Sequence, residues 1–201
     1  MRVWLGAAVA ILVATLSAQD AATSGSLERP FSANGSVKMD LVAGDYHVTG
    51  SPVDRVRIDW SVREPAALAK VRARAEVRDH ELRITTDGPS NKGLKFTIQV
   101  PTQSDLYVRL TAGDLTIEDV RGNKNVELRA GDLRIDVGRA EDYNQVDAGL
   151  WAGDLKASAF QVFKGGLFRS FDWTGNGPYR LHAHLLAGDL YLYSKADSSS
   201  R

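Results

Sequence analysis

One phrase occurs five times in this chain: Leu-x-Ala-Gly-Asp, then Leu or Tyr, any residue, and an aliphatic one. The copies are centred on Gly44-Asp45, Gly113-Asp114, Gly131-Asp132, Gly153-Asp154 and Gly188-Asp189. Each has Leu four residues before its Asp: Leu41, Leu110, Leu128, Leu150 and Leu185. Each has apolar residues one and three positions after it, as in Leu115/Ile117 and Leu133/Ile135. A phrase repeated in one chain marks a repeated structural unit. Its residues alternate: in Leu133-Arg-Ile-Asp-Val137 the apolar side chains point one way and Arg134 and Asp136 the other, as in a strand with one buried face. Two strand segments therefore meet at a Gly-Asp corner. Glycine permits a backbone approach that a side chain would block, and Asp accepts nearby backbone N–H groups.

The spacing of the copies decides between architectures. Gly113, Gly131 and Gly153 lie 18 and 22 residues apart, Gly188 follows after 35, and Gly44 lies 69 residues before Gly113. Stacked turns of a parallel β-solenoid place like residues on like. The alternative is an antiparallel β-sandwich, but hairpin turns favour Asn-Gly or Asp-Gly over Gly-Asp. The expectation is an all-β parallel solenoid.

The rest of the chain is assigned around this core. Leu5 to Leu16 is apolar apart from Thr15 and follows a single Arg2, which reads as a secretory signal peptide over 1–18 with cleavage after Ala18. Residues 19–35 read as a flexible lead-in, 36–194 as one domain, and 195–201 as a polar tail. Val53–Val62, Glu81–Thr86 and Leu94–Val100 alternate as strands. Residues 64–78, with Pro65 first and Ala-rich thereafter, read as an amphipathic helix with Lys70, Arg72, Arg74 and Arg78 on its polar face. An exported chain with no Cys must fold without disulfides. Its 25 basic and 25 acidic residues argue against nucleic-acid binding and against a calcium sponge.

The Ala-Gly-Asp-Leu phrases, the leader and the alternating strands resemble the putative adhesin family of bacterial β-strand-repeat proteins, over roughly residues 36–194. That resemblance implies an exported or envelope-anchored domain with a right-handed β-solenoid core, and it brings no catalytic residues. Residues 166–184 depart from the repeat.

Few constellations offer chemistry. Stacked Asp114, Asp132 and Asp154 would lie about 5 Å apart, the strand spacing, where a cation is conceivable and backbone capping is the plainer reading. His182 and His184 share one side of a strand, but with only His47 as a third candidate they make a weak metal site. No Cys and no Gly-x-Ser-x-Gly elbow supports nucleophilic catalysis. Asp136 with Asp119 or Glu118 is the nearest approach to a carboxylate pair for glycoside chemistry. No catalytic, cofactor-binding or metal residue is therefore assigned. Aromatic rings cluster at Trp151, Phe160, Phe163, Phe168, Phe171, Trp173 and Tyr179. They are expected to plug an open end of the stack, with Trp151, Trp173 and Tyr179 as candidate ligand-binding rings. The outward residues Glu127, Arg129, Arg134, Asp136 and Lys156 offer mixed charge. The expected function is a non-enzymatic interaction module of the periplasm or cell surface. Its expected partner is a protein, a polysaccharide or, through the ends of the stack, a second copy. A carbohydrate-binding domain is the alternative, and a polysaccharide-acting enzyme trails it.

Overall fold

The computed structural model describes residues 23–89 and 93–195. The expected leader and residues 196–201 of the tail lie outside the described residues. In chain order the strands are β1 (Ser24–Pro30), β2 (Gly35–Leu41), β3 (Asp45–Ser51), β4 (Arg55–Ser61), β5 (Arg72–Arg78), β6 (Glu81–Asp87), β7 (Lys95–Pro101), β8 (Ser104–Ala112), β9 (Leu115–Glu118), β10 (Lys124–Ala130), β11 (Leu133–Asp136), β12 (Tyr143–Ala157), β13 (Val162–Thr174), β14 (Tyr179–Ala187) and β15 (Leu190–Tyr193). A single-turn helix, α1 (Pro65–Leu68), precedes β5.

Each repeat contributes two arms that meet at its Gly-Asp corner. The arms before the corners, β2, β8, β10, β14 and the first part of β12, lie side by side and parallel in that order. The arms after them, β3, β9, β11, β15 and the end of β12, do the same. Register places like on like. Leu41, Leu110, Leu128, Leu185 and Leu150 form one buried row, and Tyr46, Leu115, Leu133, Leu190 and Leu155 another. Each such side chain removed from water contributes roughly 1.5–3 kcal/mol before its ordering cost. These rows are the core between two walls.

The corners form a ladder of their own. The N–H groups of Gly44, Gly113, Gly131 and Gly188 donate to the carbonyls of Ala112, Ala130, Ala187 and Ala152 at 2.9–3.0 Å. The Asp side chains add a second rail. Asp114 Oδ1 accepts the N–H of Asp132 at 3.0 Å, Asp132 Oδ1 that of Asp189 at 3.1 Å, and Asp189 Oδ1 that of Asp154 at 3.0 Å. The Asp154 N–H and the Tyr191 hydroxyl hold the Asp189 carboxyl below the usual carboxylate range. At these corners the carboxylates cap the backbone, which is what a lone Asp in a tight bend does. The bend also demands glycine: a Cβ on Gly131, whose φ is +122°, would overlap the carbonyl oxygen of Gly113.

Two features differ from a parallel solenoid. The repeats do not stack in chain order, because the Gly188 copy sits between those of Gly131 and Gly153. The sheet is also mixed: β1 runs antiparallel to β4, β4 to β7, β5 to β6, and β13 to β12. One sheet results, fourteen strands along its path with β13 branching off β12. Its two ends, β1 and β5, come into contact, so the sheet is nearly closed and barrel-like. It is neither a solenoid nor an antiparallel sandwich. The break in stacking order follows from the 35-residue gap between the last two corners. The chain turns back along β12 as β13, which leaves the other side of β12 open for β14. The expected bare stack ends are instead covered: β13 lies antiparallel on β12, while β6 and β7 extend β2 and β3 in parallel and are themselves covered by antiparallel β5 and β4, which saturates backbone groups that an open edge would expose.

Two local expectations also fail. Only Pro65–Leu68 of the expected 64–78 helix is helical, and Arg72–Arg78 is strand β5. Arg72, Arg74, Glu76 and Arg78 alternate with Ala73, Ala75 and Val77, and this period of two pairs with β6 more profitably than the helix propensity of alanine. Ser24–Pro30, in the expected flexible lead-in, is strand β1 and covers β4.

Candidate functional site

The outward face of the wall β8–β10–β14–β12 carries a group of two histidines and a carboxylate in mutual contact. Strand alternation turns His182 and His184 to the same side of β14. The parallel register sets Asp147 of β12 beside His182, and Gly149 beside His184. Asp147 then lies between the rings. His182 Nδ1 donates to Asp147 Oδ2 at 2.8 Å, and His184 Nε2 lies 3.4 Å from Oδ1. The two imidazoles stack with centroids 4.1 Å apart and planes 15° from parallel. Gly149 makes room for this stack: a Cβ there would lie 2.9 Å from His184 Cε1.

An open groove of about 510 Å³ runs from this group toward the corners, lined among others by Glu127, Arg129, His184, Trp151, Phe168 and Leu186. Trp151 and Phe168 meet at 5.0 Å, tilted by 46°. They remain 55% and 69% exposed, and Leu186 51%. Large rings left exposed on a sheet present apolar surface that a partner can bury. On the other side of His182 a second groove, about 580 Å³, is lined by Tyr107, Asn125, Asp147 and Arg180.

The three candidate aromatic residues separate. Trp151 faces solvent. Trp173 packs on Phe160, which also meets Phe171, at 5.2 and 5.4 Å, and these rings close the end of the core beside β12 as expected of a plug. Tyr179 is half-buried edge-on against Tyr143. Trp173 and Tyr179 are thus packing residues. His47 joins neither of the other histidines. It pairs with Glu118 at 3.0 Å on the opposite wall.

The carboxylates weighed for hydrolysis are saturated with donors. Burial pushes the Glu118 carboxyl up, but hydrogen bonds from Tyr193, Lys195 and His47 outweigh it and hold the group below its usual range. A general acid needs the opposite displacement. Asp136 was expected on the outer face. It is buried, with Oδ1 accepting the N–H of Gly138 at 3.0 Å and of Lys195 at 3.2 Å. Asp119 is held by Lys195 Nζ at 2.9 Å.

One inward residue was missed. Lys124 occupies a row otherwise made of Leu106, Leu181 and Val146, and is 2% exposed. Its ammonium donates to the Tyr143 hydroxyl at 2.8 Å. Burial pushes its pKa down to about 8, against the pull of Asp136, Asp105 and Asp142. Asp147 was missed as well, although the repeat contained the signal. Counting seven residues back from each corner Asp gives Lys38, Tyr107, Asn125, Asp147 and His182, and these positions are neighbours across the wall.

Fold and face together define a class: an all-β protein with a barrel-like mixed sheet and an open, partly aromatic groove on one wall. No family model matches the chain, and none of the curated proteins compared matches it. Among solved structures it is similar to a "putative cell adhesion protein" from Clostridium sporogenes, at 14% identity and a TM-score of 0.57, over 86% of this chain and all of that one. It also aligns with a "putative adhesin" from Bacteroides fragilis (11% identity, TM-score 0.28, 85% of this chain and 97% of that one). A third alignment is with a "putative lipid binding protein" from Parabacteroides distasonis (8%, TM-score 0.27, 85% and 97%). The first of these shows a shared fold. Among the described residues no helix is long and apolar enough to cross a membrane.

Proposed function

We propose that this chain is an exported, non-enzymatic binding domain of the bacterial envelope that engages its partner through the groove at Trp151, Phe168 and Leu186. The observation that carries this reading is the exposure of these three large apolar side chains, Trp151 and Leu186 on the wall and Phe168 on β13 against Trp151, beside the hydrogen-bonding groups of His184, Glu127 and Arg129. Burying one such ring on a partner is worth about 2 kcal/mol before ordering costs, and aromatic anchors ringed by polar groups are the usual centre of a binding surface. The fold shared with a protein described as a "putative cell adhesion protein" supports a binding role. The carbohydrate alternative now rests on Trp151, tilted against Phe168, rather than on three rings.

The test is binding of fluorescently labelled protein to envelope fractions and to a glycan array, with Trp151→Ala and Phe168→Ala beside the wild type. Each variant is expected to lose at least about tenfold in binding, the equivalent of 1.4 kcal/mol, with unchanged thermal unfolding, because neither ring is in the core. Equal binding by wild type and both variants rejects the groove. Signal confined to glycans selects the carbohydrate reading. Export has its own check: mass spectrometry of the protein recovered from its native host is expected to find Gln19 at the N-terminus, and an intact Met1 there would reject cleavage after Ala18.

A further inference from the structure

We propose that Asp147, His182 and His184 form a surface site for a late first-row divalent cation, zinc in the first instance. The donor atoms come from two adjacent strands, and one oxygen or nitrogen from each of the three side chains lies within 4.8 Å of the others. For a tetrahedral ion with bonds of about 2.0–2.1 Å, donors are separated by roughly 3.3 Å. His182 Nδ1 lies 2.8 Å from Asp147 Oδ2 and His184 Nε2 lies 3.4 Å from Oδ1, so the two rings stand near that separation from the two oxygens of one carboxylate. The remaining closure needs only side-chain rotation, and all three groups are partly exposed. Two imidazoles and one carboxylate make a borderline donor set that suits zinc, and they leave a fourth position for water or a ligand atom.

Two further observations favour a site over a chance surface network. Both Asp147 oxygens are directed at the two rings, and among the described residues no lysine or arginine forms a salt bridge with this carboxylate. The neighbouring strand position is Gly149, the residue whose missing Cβ lets the His184 ring lie against β12. Any side chain there would push the second ligand away from the first. In the ion-bound form each neutral ring keeps its one proton on the nitrogen that faces away from the ion.

The test is calorimetric titration of zinc chloride into untagged protein, followed in parallel by imidazole NMR. The chain has four histidines, His47, His80, His182 and His184, so the readout is site-specific. The expected result is one equivalent bound, with ring signals of His182 and His184 shifting and those of His47 and His80 still. His182→Ala, His184→Ala and Asp147→Asn should each weaken binding by roughly tenfold or more. Gly149→Ala, which keeps all three ligands, should weaken it too, and His47→Ala should leave it unchanged. Absence of saturable binding overturns the proposal. So does binding that survives His184→Ala, or that disappears in His47→Ala. The site adjoins the aromatic groove through His184 but takes no ligand from Trp151, so Trp151→Ala is expected to bind zinc as the wild type does while losing the groove's partner.

Discussion

Gly131→Ala is expected to destabilise the fold by at least about 3 kcal/mol, combining a strained backbone with a displaced strand. For a domain of this size that is a fall in midpoint of roughly 6–12 °C. Two causes act together. The residue has φ +122°, a conformation that side chains rarely adopt. Its new Cβ would also overlap the Gly113 carbonyl, and the Gly113 backbone belongs to the ladder that joins all five corners. Gly138→Ala separates the two causes. Gly138 has φ +66° but nothing within 4 Å of a Cβ, so it should lose only about 1 kcal/mol, the cost of a left-handed alanine. Thermal unfolding of both variants decides the matter. Equal midpoints would mean that close stacking at the corner contributes nothing.

The second large effect is a stability profile that rises between pH 8 and 10 because of Lys124. In the unfolded chain a lysine titrates near its ordinary 10.5, and in the fold burial lowers it to about 8. Below pH 8 both states carry the proton, and the fold bears the full cost of a buried charge, on the order of 3 kcal/mol at about 1.4 kcal/mol per pKa unit. Between 8 and 10.5 the folded amine has lost its proton while the unfolded one retains it. The unfolded state then binds more protons, so stability rises with pH. By pH 9.5 the gain is about 2 kcal/mol, or roughly 4–8 °C in midpoint. Above pH 10 the trend reverses. Burial raises the hydroxyl pKa of Tyr143, and also those of Tyr46 and Tyr193, so these groups ionise first in the unfolded chain. The comparison is the double variant Lys124→Met/Tyr143→Phe, which removes the charge without orphaning the hydroxyl. It should be at least as stable as the wild type at pH 7.5 and should lack the rise. An identical profile in both proteins would show that Lys124 reaches water in the native state.

The repeat was the legible part of this fold. Leu128, Leu133 and Ile135 announced an alternating strand on either side of a corner, and each is buried as that pattern requires. The glycine and the Asp of the corner take the roles their chemistry allows. Residues 72–78 were misread because alanine favours a helix in isolation, whereas the open edge of β6 rewards the alternation of arginine and alanine. Ser24–Pro30 has no apolar pattern of its own and becomes a strand only because β4 offers it an edge. Trp151 and Trp173 are indistinguishable as sequence. They fall on opposite faces of neighbouring strands, so one is a plug and the other a wall of the groove.

The candidate metal group follows the same division. His182-Ala-His184 could be recognised at once as two rings on one side of a strand. Their third partner lies 35 residues before His182 and is brought there by insertion of β14 between β10 and β12. By itself the sequence determined the corner, the inward rows and the alternation of the arms, because these depend on contacts between like positions of one repeat. The order of the strands, the antiparallel cover at both ends and the meeting of Asp147 with the histidines were decided by the tertiary structure. They depend on which edge a strand finds open, and a period of two leaves that choice to the packing of the whole sheet.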